Sequence, residues 1–258
     1  MADHHTALST AAVLGLLVSL VSALGYLAAV RRTATGRRWP RTRTGCWLAG
    51  LAVLLVGSVG PVAAAGDTSF PAHAVSHLLV GMLGPLLLVL GAPVTLALRT
   101  LTTATGRRLT RALRSRAVRW LTEPVVAAAL AVGGLWLLYT TPLFTLAEQY
   151  RGVHLLVHLH LVLSGYLLPA VLVGPDPLPH RRSYPHRAAV LVAALAAHGI
   201  LAKHLYTQPP AAFAPDTAPI GAMVMYYGGD AVELVVIVLL CRRWFGVRQP
   251  RPAALGPA

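Results

Sequence analysis

Residues 70–99 read FPAHAVSHLLVGMLGPLLLVLGAPVTLALR, an apolar run that is long enough to cross a lipid bilayer. A spanning helix takes about 20 apolar residues at about 1.5 Å each, and this run carries no charge before Arg99. Two histidines, His73 and His77, interrupt the run near its first turn, one helical turn apart and therefore on one face. Because imidazoles are costly in hydrocarbon, this pair indicates a bound proton, metal or ligand rather than a simple anchor.

Composition places the whole chain in a membrane. Its 258 residues have a mean hydropathy of +0.64, and only 12% of them are charged. Seven apolar runs reach the length of a spanning helix. The predicted fold is therefore all-α, a polytopic membrane protein with seven transmembrane helices in a single domain, residues 1–258. The predicted spans are about 8–30, 46–65, 73–98, 124–141, 153–174, 188–206 and 219–241.

The formal net charge of +14 is distributed among alternate connections of the predicted bundle. Basic segments follow spans one, three, five and seven, at residues 31–43, 99–119, 181–187 and 242–251. The remaining connections offer only Arg151 and, at a helix end, Lys203. This alternation is the positive-inside pattern, and it predicts an N-terminus outside and a cytoplasmic C-terminus. The basic segments are then expected to face anionic lipid, and no nucleic acid partner is expected.

Span five repeats the histidine pair of span three. His154 and His158 are one turn apart at the start of the span, at about the depth of His73 and His77 below the outer surface. His198 lies at a similar depth, because span six runs in the opposite direction. Each of these alone is more simply explained as a hydrogen-bonded polar residue. Together, five imidazoles at one level on three helices favour a metal or haem site.

Thioether side chains near the histidines help to identify the metal. Imidazole binds zinc, copper, iron and nickel, and neighbouring thioethers favour Cu(I). The predicted ligands of a copper ion, as Cu(I), are therefore His73, His77, His154, His158, His198, Met223 and Met225. We expect no carboxylate at this depth, since Asp230 and Glu233 lie further along span seven. Those two carboxylates are candidates for proton acceptors or for partners of imidazole N–H groups.

These motifs resemble those of one protein family. The block FPAHAVSHLL at residues 70–79, followed by GPLLLVLGAP at residues 84–93, is similar to the CtaG family of seven-span bacterial assembly factors for caa-type cytochrome c oxidase. The resemblance covers about residues 45–240, and its further elements are His154, His158, Gly165, the Gly174-Pro-Asp-Pro turn, His198 and residues 221–225. Two positions depart from the family pattern, namely Ala74 in place of a frequent Met and Tyr226 in place of Trp.

The resemblance implies a function. Proteins of this family are implied to deliver copper to the oxidase or to insert it there, as chaperones rather than as enzymes. The implied partner is a cytochrome c oxidase subunit. The lipid bilayer is expected from composition, and an external copper carrier from the predicted position of the site near the outside. The implied location is the bacterial plasma membrane, with several passes of the chain.

Two other functions are open at this point. An intramembrane zinc-dependent hydrolase of the ceramidase-like kind also has seven spans and several histidines, and it requires Ser76, Asp230 and the histidines to converge. A bis-His b-type cytochrome requires one histidine of each pair to face the other across a haem. Hydrolysis of lipid amides would identify the first function, and a Soret absorption band would identify the second.

Overall fold

All of the described secondary structure is helical. The computed structural model describes residues 2–33, 38–210, 212–214 and 216–248, and for 2–12 and 247–248 it describes the backbone only. Parts of two basic segments, residues 34–37 and 249–251, therefore lie outside the described residues. The helices are α1 (Ala2–Arg32), α2 (Arg41–Ser58), α3 (Pro61–Gly66), α4 (Phe70–Leu78), α5 (Gly84–Leu90), α6 (Pro93–Thr100), α7 (Thr103–Leu113), α8 (Arg116–Leu121), α9 (Pro124–Ala128), α10 (Gly134–Thr140), α11 (Leu143–Gln149), α12 (Arg151–Val173), α13 (Tyr184–Thr207) and α14 (Ala218–Arg248).

Among the described residues, five helical segments are long and apolar enough to cross a membrane. They are Val13–Arg32, Phe70–Thr100, Arg151–Val173, Tyr184–Thr207 and Ala218–Gly246. Helices Pro124–Thr140 and Leu143–Gln149 make a sixth segment if they form one span that is bent by 78°. The predicted all-α, polytopic class is thereby confirmed. The count of seven spans, the orientation and the single domain stay predictions.

The predicted span at residues 46–65 is divided between two helices. Helix α2 ends at Ser58 and α3 begins at Pro61, while Gly60 between them has a φ of 94°. That backbone conformation strongly favours glycine, and a proline cannot continue the hydrogen-bond ladder of a preceding helix. With 18 residues, α2 alone is about 27 Å long.

The segment Phe70–Thr100 is a broken helix. A π-helical turn, Leu79–Leu83, separates α4 from α5, and Pro85 lies in the first turn of α5. Ala92 then adopts a left-handed φ of 54°, and α6 begins at Pro93. Pro85 and Pro93 each lie at the start of a helical segment, because a proline lacks the N–H group that would continue the hydrogen-bond ladder of a preceding helix. A second π-helical turn, Ala129–Gly133, separates α9 from α10.

The broken segment lies at the centre of the bundle. In its most apolar window 56% of the residues are buried, compared with 6% for Val13–Arg32. Helix α4 packs against α3 and α14, and α5 packs against α2 and α12. The residues around the first histidine pair therefore face protein on most sides, whereas α1 lies at the periphery.

A carboxylate in the connection after α12 anchors the beginning of α6. Asp176 accepts hydrogen bonds from the N–H of Val94 at 3.1 Å, the N–H of Thr95 at 2.7 Å and the Thr95 hydroxyl at 2.6 Å. The first N–H groups of a helix have no partner within that helix, and an anion there is also favoured by the helix dipole. Asp176 thus ties the connection to the central broken segment.

Replacing Asp176 with Ala is expected to lower the free energy of unfolding by about 1–2 kcal/mol, the usual cost of losing a helix cap. Thermal unfolding of the purified protein in detergent measures the effect. Asp176→Asn keeps one acceptor oxygen, and its thermal midpoint is expected to lie between those of the wild-type protein and Asp176→Ala. Asp67→Ala is the control, because Asp67 is exposed. Equal midpoints for Asp176→Ala and Asp67→Ala would contradict the anchoring role.

Candidate functional site

Three of the predicted ligands lie where α4 and α12 begin, and we refer to His73, His154 and His158 as the terminal histidines. The ring centroids of His154 and His158 are 4.3 Å apart, in keeping with their one-turn spacing. His73 interacts electrostatically with both of them. The terminal histidines of α4 and α12 therefore lie near the same end of the bundle, within the range of electrostatic interaction.

Aromatic side chains enclose His73. Its Nε2 lies 3.0 Å from the hydroxyl oxygen of Tyr139, and its ring centroid lies 5.4 Å from those of Phe144 and Phe213. A metal-binding imidazole usually has its other ring nitrogen hydrogen-bonded, which fixes the orientation of the ring. The contact with Tyr139 fixes the orientation of the His73 ring, and no sequence pattern singles out this tyrosine.

A second group, which we call the cavity group, consists of His77, His198 and Glu233. All three line one cavity of about 80 Å³ in the middle of the bundle, whose remaining wall is mostly apolar. The Nδ1 of His198 lies 3.2 Å from the Oε1 of Glu233, and His77 interacts electrostatically with His198. Their exposed fractions are 5%, 3% and 8%, respectively. The cavity group is thus shielded from its surroundings.

Glycines make room for the cavity group. A Cβ atom at Gly229 of α14 would overlap the ring of His198. A Cβ atom at Gly81 would lie 3.3 Å from Cε1 of His77 and closer still to Leu161 of α12. A small residue at each point lets the neighbouring helices approach closely enough to bring His77, His198 and Glu233 together.

The expectation that no carboxylate lies at the level of the histidines is wrong. Counting residues along α14 places Glu233 too deep, but α13 and α14 pack closely at Gly229, and this contact brings His198 beside Glu233. The alternative prediction for the carboxylates, pairing with an imidazole, is confirmed for Glu233. Asp230 is exposed on α14, so the described residues do not form the convergence with Ser76 that a zinc hydrolase of the ceramidase-like kind requires.

The five predicted histidines form two adjacent groups instead of one cluster. No three described His, Cys, Asp or Glu side chains are arranged to hold one metal ion together. Met225 is fully buried in an apolar cluster with Phe70, and Met223 is 44% exposed. The ligand set therefore stays a prediction. His160, which is not among the predicted ligands, bonds elsewhere, since its Nε2 lies 3.0 Å from the backbone oxygen of Leu130.

Unpaired polar atoms concentrate in these two groups. Among the described residues, seven buried side-chain nitrogen or oxygen atoms have no hydrogen-bond partner, and they include His77 Nε2, His158 Nδ1, His198 Nε2 and Glu233 Oε2. An imidazole nitrogen without its proton offers a lone pair to a metal ion. Three of the predicted ligand residues therefore keep a donor atom that the protein itself does not use, which fits binding of a metal ion.

The sequence matches a known protein family. The family model described as cytochrome c oxidase caa3 assembly factor (Caa3_CtaG) matches residues 24–246. Uncharacterized proteins of Mycobacterium bovis and Mycobacterium tuberculosis are each 38% identical over 198 residues, which is 73% of this chain and 30% of theirs. An uncharacterized protein of Mycobacterium leprae is 33% identical over 248 residues, 88% of this chain and 38% of its own length. The chain thus spans about a third of the length of these relatives, and no solved structure matches it.

Proposed function

The chain belongs to the family of cytochrome c oxidase caa3 assembly factors, and on this premise we propose that it holds copper, as Cu(I), for the oxidase during assembly. The observation that carries the proposal is the set of buried, unpaired imidazole nitrogens on His77, His158 and His198. Copper is then the cargo of the protein. The family is consistent with a role without turnover chemistry.

Glu233 lies where it can leave Nε2 of His198 free to bind a metal ion. A carboxylate oxygen lies 3.2 Å from Nδ1 of His198, and a negative charge at that distance favours the tautomer with its proton on that nitrogen. Because neutral imidazole carries only one ring proton, Nε2 then holds a free lone pair. The same Nε2 is buried without a hydrogen-bond partner, so this nitrogen of His198 is available to a metal ion.

The order of the two groups suggests a route for the ion. His73 and His77 are one turn apart on α4, so the cavity group begins about 6 Å beyond the first of the terminal histidines. Under the predicted topology, the terminal histidines lie nearest the outside, where an external copper carrier delivers the ion. The ion is then held further in and passes to a cytochrome c oxidase subunit that docks from the side.

Metal analysis of the purified protein tests this proposal. Protein from cells grown with copper is expected to hold copper in stoichiometric amount, with little zinc or iron. Copper below stoichiometry, together with a Soret band and equimolar iron, would identify a b-type cytochrome and overturn the proposal. Zinc together with hydrolysis of lipid amides would identify a hydrolase instead. Protein that takes up no Cu(I) in an anaerobic titration would also overturn it.

A further inference from the structure

An acidic side chain lies on the outside of the bundle, near the middle of a helical segment that is long and apolar enough to span the membrane. Asp230 is exposed, and it lies on the spanning segment Ala218–Gly246, about 18 Å from the beginning of that segment. Ionisable residues within a span almost always face protein or water, because exposure to hydrocarbon is costly. Its position therefore requires an explanation outside the chain.

Asp230 interrupts a continuous apolar stripe, which we call the outer stripe of α14. The stripe runs at three- and four-residue spacing along one face, and its other members are Ile220, Met223, Tyr227, Leu234 and Val238, which are 44–66% exposed. The remaining faces of α14 pack against α13, α4 and α12. The outer stripe is thus the one side of this helix that the chain itself leaves open.

Within the described residues, no cation pairs with Asp230. The described ion pairs join Arg182 and His186 to Glu123, and His198 to Glu233. Lys203 on the adjacent α13 is directed elsewhere, with its Nζ 5.3 Å from the ring centroid of Tyr226. The carboxylate therefore offers its full hydrogen-bonding capacity to a neighbour in the membrane.

We propose that the outer stripe of α14 is the surface on which a transmembrane helix of the oxidase docks, and that this helix carries a basic side chain at mid-membrane depth that pairs with Asp230. A charged pair or a charge-assisted hydrogen bond is stronger and more specific than apolar contact between helices in lipid. The inference rests on the proposed function for the identity of the partner and goes beyond it in naming the surface.

A second copy of the chain is the less suitable occupant. Two copies related by a two-fold axis along the membrane normal meet through the same surface on both. Asp230 of each copy then lies beside Asp230 of the other, and like charges at one depth repel. Residues 218–241 contain no Lys, Arg or His that a symmetric contact could offer to the carboxylate instead.

The outer stripe also lies close to the cavity group. Glu233 is three residues after Asp230 on the same helix, and it is buried toward His198. Residues three apart are neighbours on a helix surface, so the outer stripe borders the side of α14 that carries Glu233. A partner docked on the outer stripe therefore lies beside the cavity group, a short distance over which to receive the cargo.

Substitution of Asp230 in the full chain tests the docking surface. Asp230→Leu is expected to reduce the amount of oxidase subunit that co-purifies with the tagged protein about tenfold, the effect of one interhelical polar contact. Asp230→Asn keeps hydrogen bonding and is expected to have an intermediate effect. Copper content and the thermal midpoint are expected to stay at the wild-type level in both variants. Val192→Leu is the control, since Val192 is 67% exposed but lies on a different helix, α13.

A photo-crosslinking amino acid in place of Tyr227 identifies the occupant directly, because Tyr227 is 66% exposed one turn before Asp230. Mass spectrometry of the product is expected to find a transmembrane segment of the oxidase. A product with a second copy of the chain, products with lipid alone, or unchanged co-purification of Asp230→Leu would each overturn the inference. If docking depends on Asp230 while the wild-type protein binds no copper, the docking surface stands and the copper proposal falls. If the wild-type protein binds copper but docking does not depend on Asp230, only the docking surface is overturned.

Discussion

Replacing His77 with alanine is expected to lower the copper content of the purified protein about tenfold or more, and replacing His158 should do the same. Loss even of a residue that only supports a metal ligand typically reduces affinity about 10–100-fold, and each of these residues has a ring nitrogen that is buried without a partner. Cytochrome oxidase activity in membranes of the same cells is expected to fall with the copper content. Elemental analysis of the protein and an oxidase assay of the membranes provide the two measurements.

His160→Ala is the matched control for these variants. His160 is two residues from His158 on α12, but its Nε2 is already engaged with the backbone oxygen of Leu130 at 3.0 Å. Its loss is expected to leave copper content unchanged. Wild-type copper content in both His77→Ala and His158→Ala would refute the copper site. Equal losses in all three variants would point to a folding defect instead and would also remove the support for these ligands.

Valine in place of Gly165 is expected to prevent the central helices from packing. A Cβ atom at Gly165 would overlap the carbonyl oxygen of Gly81, and backbone, unlike a side chain, cannot move aside without displacing its helix. We expect a loss of about 3 kcal/mol or more in the free energy of unfolding, at the upper end of the range for overpacked interiors. Membrane yield and the thermal midpoint in detergent measure the effect, and copper content should fall because Gly81 lies one turn from His77.

Gly133→Ala is the control for this substitution. Gly133 also lies in an apolar helical segment, Pro124–Thr140, at the end of its π-helical turn, but a Cβ atom there meets no other atom within 4 Å. Alanine should be tolerated at that position. Gly165→Ala is expected to be destabilising as well, since the overlap begins at Cβ. A Gly165→Val protein with the wild-type midpoint would show that α12 and the central segment do not cross at these glycines.

Hydropathy and one-turn spacing were enough to predict most of the long helical segments and the contacts within a single helix. The contact between His154 and His158 follows from spacing on one helix, and the segments Arg151–Val173 and Tyr184–Thr207 follow from the length of their apolar runs. The division of the predicted second span was not foreseen, because the apolar run continues across Gly60 and Pro61 to residue 65 and hydropathy alone does not mark the break. Local signals were sufficient where the structure is local.

Contacts between helices were harder to predict. Glu233 reaches His198 because α13 and α14 approach closely at Gly229, and residue counting along separate helices contains no information about such an approach. The bond between His73 and Tyr139 joins residues 66 positions apart, and no spacing rule relates them. The division of the histidines into two groups depends in the same way on how α4, α12 and α13 are placed around one another.

The π-helical turn Leu79–Leu83 has a consequence for the register of the central segment. Such a turn contains one residue more than an α-helical turn, so everything after it is out of phase with everything before it. In an uninterrupted α-helix, Gly84 would lie on the same face as His77. In the structure, Gly81 contacts Leu161 of α12, whereas Gly84 faces Leu54 of α2. The two halves of the segment are therefore oriented independently about the helix axis. The first half sets the direction of the imidazoles, and the second half packs against the rest of the bundle. Insertion or deletion of a single residue between them would re-aim His73 and His77 without altering any ligand.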